Sequence, residues 1–358
     1  MSVHVSLGSR SYDIHIGTGN LSDAGTLLAA FKPVSLAVVL TDTNVQSFGY
    51  AQRVAASIAD AGINARVLSV SAGEASKSIE TADSLWQTLL EDGTDRKAVL
   101  VAVGGGVIGD LGGFVAATFA RGIRFFQIPT TLLAQVDSSV GGKVGIDLPK
   151  AKNMVGAFHQ PLAVLIDTQT LQTLPEEQYR SGLGEVVKYG ESLDAGLFEY
   201  LESGVEKINR RDNDVLQKIV AGCCRIKADI VAEDEYETAG RRILLNYGHT
   251  FAHSFEIMSG YTLLHGLAVS AGSICAAKLA LKLNLIDAAL LRRFIHLHQA
   301  LHLPAETPER YARKEAVALM YSDKKTEFGE LHFVLPTGLG QCKTVKCTPQ
   351  TVLDSVAE

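Results

Sequence analysis

The sequence predicts an α/β N-terminal domain with a parallel sheet, residues 1–170, followed by a mostly α-helical C-terminal domain, residues 171–358. Two patterns carry this expectation. Short apolar runs occur at Leu36–Leu40, Ala65–Val70, Val99–Val103, Phe125–Ile128 and Ala163–Ile166, and helical patterns separate the first four. Such alternation builds a parallel sheet covered by helices. From about Thr170 long helical periodicities dominate, at Glu176–Tyr189, Asp214–Val231, Leu267–Leu283, Asp287–Leu301 and Glu315–Tyr321, and only Leu331–Leu335 reads as a strand. A chain of 358 residues suits two domains and can bury a sizeable core.

Taken in order, the first element is a hairpin. Val3, Val5 and Leu7 alternate, as do Tyr12, Ile14 and Ile16, with Gly8-Ser9 between them. The C-terminal ends of the next four runs carry Thr41-Asp42-Thr43-Asn44, Gly73–Lys77, a glycine turn, and Pro129-Thr130-Thr131. Ligands bind at such ends in open α/β sheets. The glycine turn is Gly104-Gly105-Gly106-Val107-Ile108-Gly109-Asp110, and a helical pattern follows it to about Ala120. A strand, a glycine turn and a helix N-terminus together present backbone N–H groups to a phosphate. The Gly104-x-Gly106-x-x-Gly109 spacing fits the dinucleotide turn of a Rossmann-like sheet. The acid usual about twenty residues further on is replaced by Arg124, and Asp42 is the carboxylate left for a ribose. Another phosphate ligand, or a purely structural turn, are the alternatives. The stretch Gly141–Gln160 reads as irregular and holds Lys143 among glycines, then Lys152-Asn153.

Composition narrows the class. Hydrophobic residues make up 47% and charged residues 20%, values of an ordinary globular enzyme rather than a disordered chain. The net charge of −6 offers no global basic field for nucleic acid or an anionic membrane, so an anionic ligand must meet local lysines and arginines. Five cysteines without CxxC spacing read as reduced thiols. The start of the chain has no secretory pattern, and Gly266–Ala277 is too short to span a bilayer, so a cytoplasmic protein is expected.

Two sets of side chains carry chemistry. His249-x-x-x-His253 puts two imidazoles on one helical face, His265 follows, and Glu185-x-x-Lys188 adds a carboxylate and an ammonium. A His/His/Glu set fits a catalytic zinc with an open position, and helical spacing by itself pairs His249 with His253. Hydrogen-bonded core or surface histidines are the plain alternative. Arg121, Lys143, Lys152, Lys188, Lys227, Arg242 and Lys324-Lys325 lie in small or apolar surroundings. Converging, they would suit a substrate with two anionic ends, such as a phosphate and a carboxylate; a solvated face explains any one of them.

Longer strings go beyond pattern. Gly104–Gly113 (GGGVIGDLGG), Arg121-Gly122, Ile128–Lys143 (IPTTLLAQVDSSVGGK), Lys152–Phe158 (KNMVGAF), Gly184–Lys188 (GEVVK), Asn246–His249 (NYGH) and Asp323–Lys325 resemble the 3-dehydroquinate synthases, sugar-phosphate cyclases of the shikimate pathway. The resemblance runs from the Asp42 loop to Lys325. It implies an active site in the cleft between the two domains and a homodimer. It makes Glu185, His249 and His265 the ligands of a Zn2+ (or Co2+) ion, with His253 left to substrate or proton transfer. It implies NAD contacts at Asp42, Asn44, Glu74, Lys77, Gly105, Gly106, Val107, Asp110, Thr130 and Thr131, with Lys143 and Lys152 shared between cofactor and substrate. Substrate contacts would fall on Arg121, Asp137, Lys143, Lys152, Asn153, Lys188, Lys227, Arg242, Asn246 and one of Lys324 or Lys325.

The implied reaction converts 3-deoxy-D-arabino-heptulosonate 7-phosphate to 3-dehydroquinate and phosphate, as a phosphorus–oxygen lyase. Transient oxidation by NAD acidifies a C–H, phosphate is eliminated, the hydride returns, and an intramolecular aldol step closes the ring. The rival readings are another sugar-phosphate cyclase, making an inosose or a valiolone, and a metal-dependent NAD polyol dehydrogenase. One departure stands in the ligand segment: the family commonly has His-Gly-Glu where this chain has His265-Gly266-Leu267. If His265 opens a helix, residue 267 lies roughly 200° around the axis from it and faces away from a metal.

Overall fold

The computed structural model describes residues 1–149, 151–306, 313–323 and 331–356. They form two compact units: Met1–Leu174 with Leu216–Tyr236, and Pro175–Val215 with the described residues from Glu237 onward.

The first unit is built on a seven-stranded sheet. Its strands are β1 (Ser2–Val5), β2 (Tyr12–Gly17), β3 (Ala37–Asp42), β4 (Ala65–Val70), β5 (Val99–Gly104), β6 (Arg124–Pro129) and, beyond a separate hairpin of β7 (Lys143–Leu148) and β8 (Ala151–Phe158), β9 (Ala163–Asp167). The order is β1-β2-β9-β6-β5-β3-β4. All neighbours are parallel except β1 and β2, which pair antiparallel with Val3 opposite Ile14. The predicted parallel sheet and its opening hairpin therefore join in one sheet.

Both faces of that sheet are covered, which is why its central strands are apolar runs. Val39 of β3 and Val101 and Val103 of β5 face Leu21, Leu28, Tyr50, Val54 and Ile58. Their chain neighbours Val38, Leu40, Leu100 and Ala102 face Leu85, Leu89, Ile108, Leu111 and Val115 on the other side. Successive side chains of a strand point to opposite faces, so a strand covered twice has few polar positions, such as Thr41 of β3 and Gln127 of β6.

The stretch that reads as irregular in the sequence is the β7–β8 hairpin. Val144 and Ile146 of β7 enter the core, but every residue from Lys152 to Gly156 is exposed, so β8 shows no apolar alternation to read. The backbones close tightly here: a Cβ on Gly156 would stand 2.2 Å from the Val144 carbonyl oxygen.

The second unit contains helices Glu176–Ser192, Ala195–Asn209, His249–Met258, His265–Lys282, Ala288–Ala300, Arg313–Asp323 and Pro349–Val356. It also holds a hairpin of β10 (Leu331–Gly338) and β11 (Gln341–Cys347). Three of these elements, Ala195–Asn209, β11 and the last helix, are additions to the sequence reading. The expected helix Asp214–Val231 exists as Asn213–Glu233, but from Leu216 it packs with the first unit. There Cys224 Sγ donates to the Gln135 carbonyl at 3.2 Å, and Lys227 binds Asp137. Periodicity reports a helix; it cannot report which core receives it. No helix among the described residues is long and apolar enough to cross a membrane.

Candidate metal centre and glycine turn

Three chain segments of the second unit meet at Glu185, His249 and His265. Glu185 lies mid-helix in Glu176–Ser192, His249 opens its helix after Gly248 (φ 78°), and His265 opens the next. Glycines let these helices come together. A Cβ on Gly184 would lie 2.0 Å from the Gly266 carbonyl oxygen, and one on Gly266 would lie 1.7 Å from that of Ser181. A Cβ on Gly272 would lie 2.3 Å from the Gly248 oxygen. Each of Gly184, Gly266 and Gly248 adjoins a residue of the trio, so the packing that excludes a side chain also sets the approach of the functional groups.

One ligand-type atom from each of the three residues falls within 4.8 Å of the others, the arrangement a metal ion requires, and it is the one such group found among the described residues. Glu185 Oε1 is 3.6 Å from His249 Nε2 and 3.3 Å from His265 Nε2. His253 stands beside this set, its ring centroid 5.6 Å from that of His249 and 6.4 Å from that of His265. Glu185 is fully buried, and neither of its oxygens has a hydrogen-bond partner of good geometry. A buried carboxylate left in this state is costly unless a cation balances it. Lys188 Nζ, 2.6 Å from Glu185 Oε2, supplies one charge, and it also donates to the Leu245 carbonyl at 2.8 Å.

The remaining imidazole nitrogens are engaged away from the centre. His249 Nδ1 lies 3.1 Å from the Tyr247 carbonyl and His265 Nδ1 lies 3.3 Å from Glu256 Oε1. Two nitrogens and a carboxylate oxygen thus face one point, which fits a zinc-type ion.

Charge follows this geometry. Burial opposes ionisation of Glu185, yet Lys188 and the two histidines hold its carboxyl well below the usual range. Burial pushes His249 down to about 3 against the attraction of Glu185. Burial also opposes a charge on His265, but the neighbouring carboxylates of Glu185 and Glu256 outweigh that and raise it to about 10.

The first unit carries the phosphate-type features. Gly105 caps the helix Gly106–Thr118 at the end of β5. Leu40 of β3 pairs with Ala102 of β5, so Asp42 and Gly104, each two residues on, lie at the same sheet edge. Close neighbours account for the glycines: a Cβ on Gly105 would meet Thr131 Cγ2 at 2.9 Å, one on Gly106 the Ser138 hydroxyl at 3.3 Å, and one on Gly109 Gln127 Oε1 at 3.2 Å. Asp42 Oδ1 accepts from the Asn44 and Val45 amides and fixes the loop at this edge. Thr130 donates its amide to the Gly104 carbonyl at 2.9 Å.

Residues distant in sequence gather around Lys77. Its buried ammonium donates to Asp110 Oδ2 at 2.6 Å and to Asn153 Oδ1, and it stands 4.0 Å from Asp147 Oδ1. Burial would neutralise this lysine, but Asp110, Glu74 and Asp147 raise its pKa. Lys152 Nζ is 3.8 Å from Glu74 Oε1. Asp147 is absent from the sequence reading. It accepts from the Asn153 amide at 2.8 Å, where Asn153 is held at a left-handed φ of 57°. Its one signal in the sequence is a carboxylate amid the lysine-bearing segment.

Other expected residues lie apart from these clusters. Lys227 Nζ donates to Asp137 Oδ1 at 2.7 Å and to its carbonyl at 2.6 Å. Lys143 is exposed at the start of β7, and Arg121 is exposed with φ 64°. Arg242 is buried, with Nε 3.4 Å from Glu237 Oε1, and Asn246 is exposed nearby in sequence. Lys324 and Lys325 lie outside the described residues.

Comparison with known families bears on this arrangement directly. Residues 67–181 match the family model for the 3-dehydroquinate synthase N-terminal domain, and residues 182–326 match that for the C-terminal domain. The 3-dehydroquinate synthase of Desulforamulus reducens is 46% identical over 347 residues, covering 96% of each chain. The chain belongs to the 3-dehydroquinate synthase family. Its family relative from Rhodopirellula baltica is likewise 46% identical, over 355 residues and 97% and 94% of the two chains.

Among solved structures, 2-epi-5-epi-valiolone synthase from Streptomyces hygroscopicus, with NAD+ and Zn2+ bound, superposes with a TM-score of 0.88. It is 27% identical, and the match covers 98% of this chain and 97% of that one. A glycerol dehydrogenase from Schizosaccharomyces pombe reaches a TM-score of 0.68 at 16% identity over 96% and 87% of the chains. That likeness is one of fold alone, so the dehydrogenase reading gains no chemistry from it.

Proposed function

We propose that the chain converts 3-deoxy-D-arabino-heptulosonate 7-phosphate to 3-dehydroquinate and phosphate. The convergence of Glu185, His249 and His265, in a chain 46% identical to curated 3-dehydroquinate synthases over nearly its full length, carries this reading. Glu185, His249 and His265 would hold Zn2+, and the glycine turn would hold NAD. When bound, the ion supplies polarisation of an oxygen-bearing carbon, and NAD supplies a hydride acceptor that is restored within each turnover.

The residues divide the remaining work. Helix N-terminal amides at Gly105, Gly106 and Val107 receive the cofactor phosphates, because unsatisfied N–H groups and the helix dipole both favour an anion. Asp42 and Asn44 meet a ribose, and Glu74, Lys77, Asp110, Thr130 and Thr131 complete that set. Arg121, Lys143, Lys152, Lys188 and Arg242 neutralise the phosphate and carboxylate ends of the substrate, with Asp137, Asn153, Lys227 and Asn246 as further contacts. His253, adjacent to His249 and outside the ligand set, exchanges a proton with substrate. Restraining a flexible intermediate at both ends turns ring closure into a well-oriented intramolecular step. NAD binding is assigned to residues 1–170 and metal and substrate binding chiefly to residues 171–358, in a cytoplasmic homodimer.

The test is redox balance. Supplied with the heptulosonate phosphate and a trace of NAD, the enzyme should release phosphate in many-fold excess over NAD, with no steady rise in NADH absorbance. NADH formed in step with product would make the protein a dehydrogenase instead.

A further inference from the structure

The two histidines of the metal centre are held by different kinds of acceptor. His249 Nδ1 meets a backbone carbonyl, that of Tyr247, whereas His265 Nδ1 meets the side chain of Glu256 at 3.3 Å. Glu256 is buried, and it sits on the helix that carries His249, seven residues further on. Seven residues are about two helical turns, so both side chains lie on one face of that helix. One helix therefore offers an imidazole to the centre and a carboxylate to the imidazole of the next helix. The chain returns from Glu256 to His265 through a short turn closed by the Tyr261 amide, which donates to the Glu256 carbonyl at 2.8 Å. Leu267, the position where the resemblance would have put a carboxylate, is half-buried two residues after His265.

We propose that Glu256 is the positioning residue of the metal centre: its carboxylate accepts from His265 Nδ1–H, fixes the tautomer that leaves Nε2 free, and aims Nε2 at the point shared with Glu185 and His249. A carboxylate in this role orients the ring and raises its donor strength, and losing one typically costs roughly 10–100-fold in metal affinity. Residue 267 has no part in it. The inference rests on the reading of Glu185, His249 and His265 as ligands.

The experiment titrates Co2+ into chelator-stripped full-length protein against a competing chelator, and records the visible absorption of the Co2+-loaded forms. Glu256→Ala should weaken Co2+ binding by roughly 10–100-fold, and Glu256→Gln, which keeps the shape and an acceptor oxygen, should lose less, roughly tenfold. Both should displace the Co2+ absorption band, while Leu267→Glu changes affinity by less than about tenfold and leaves the band in place. Binding is measured below the melting temperature of the metal-free Glu256→Gln protein, since losing the Glu256–His265 pair also costs that form some stability. Should Glu256→Ala fail to fold, Glu256→Gln decides alone. Glu256→Gln binding Co2+ within twofold of wild type with an unmoved band overturns the proposal, and so does a gain of 100-fold on Leu267→Glu. If Glu185→Ala binds Co2+ as well as wild type, the ligand assignment itself has failed.

Discussion

The two candidate sites of this protein are made from different materials. The glycine turn after β5 is a backbone site: consecutive residues, one strand end and one helix N-terminus present amides together. The candidate metal centre is a side-chain site whose members are 64 and 16 residues apart, from Glu185 to His249 and from His249 to His265. A backbone site is written contiguously and tolerates changes in neighbouring side chains. A side-chain site depends on how closely separate helices approach, and here glycines at the contacts set that distance.

The same substitution at both places exposes the contrast. Alanine at Gly266 would put Cβ 1.7 Å from the Ser181 carbonyl oxygen, a backbone atom that cannot rotate aside. Overpacking ordinarily costs about 1–3 kcal/mol, and a contact this short belongs at or above the upper end. Gly266→Ala should therefore lower stability by about 3 kcal/mol or more in urea denaturation and abolish metal binding. Alanine at Gly105 meets the side chain of Thr131, nearest at Cγ2 (2.9 Å), and the backbone there (φ −75°) suits any residue. Gly105→Ala should cost less than about 1.5 kcal/mol while weakening NAD binding. Equal destabilisation at the two sites would erase the distinction drawn here.

Much of the sheet was legible because β3, β5 and β9 are buried on both faces and read as apolar runs. Strand β8 was not, since its exposed residues leave no apolar alternation to read. The metal centre was half legible. Helical spacing offers His249 with His253, but nothing local says that the following turn brings His265 over His249, with ring centroids 5.2 Å apart. Glu185 is offered by the residue pattern as a carboxylate for such a set, and only resemblance to a family puts His265 beside it in place of His253. The resemblance names Lys77 and Asp110 as NAD contacts, but nothing in the sequence says that these residues, 33 positions apart, are hydrogen-bonded to each other. Asp147 offered only its place amid the lysine-bearing segment and Glu256 no signal, because a carboxylate that holds another functional residue looks like any acid in the sequence.

Asp147 provides the smaller test of the comparison. Its carboxylate holds the Asn153 amide and faces Lys77. Asp147→Ala should cost about 1 kcal/mol, the usual net worth of one such hydrogen bond. It should reduce turnover more than NAD affinity, because Asn153 loses the hydrogen bond that accompanies its left-handed conformation. An unchanged turnover would make Asp147 a structural residue of the β7–β8 hairpin only.

The account turns on which histidines hold the metal, and metal content per chain after dialysis reads that directly. Glu185→Ala, His249→Ala and His265→Ala should each lose bound metal together with activity. His253→Ala should retain metal at the wild-type level while turnover falls by roughly 100-fold or more, the range of a lost proton-transfer group. A metal-free His253→Ala protein, beside a His265→Ala protein that keeps its metal, would show that the pairing of His249 with His253 was the true site.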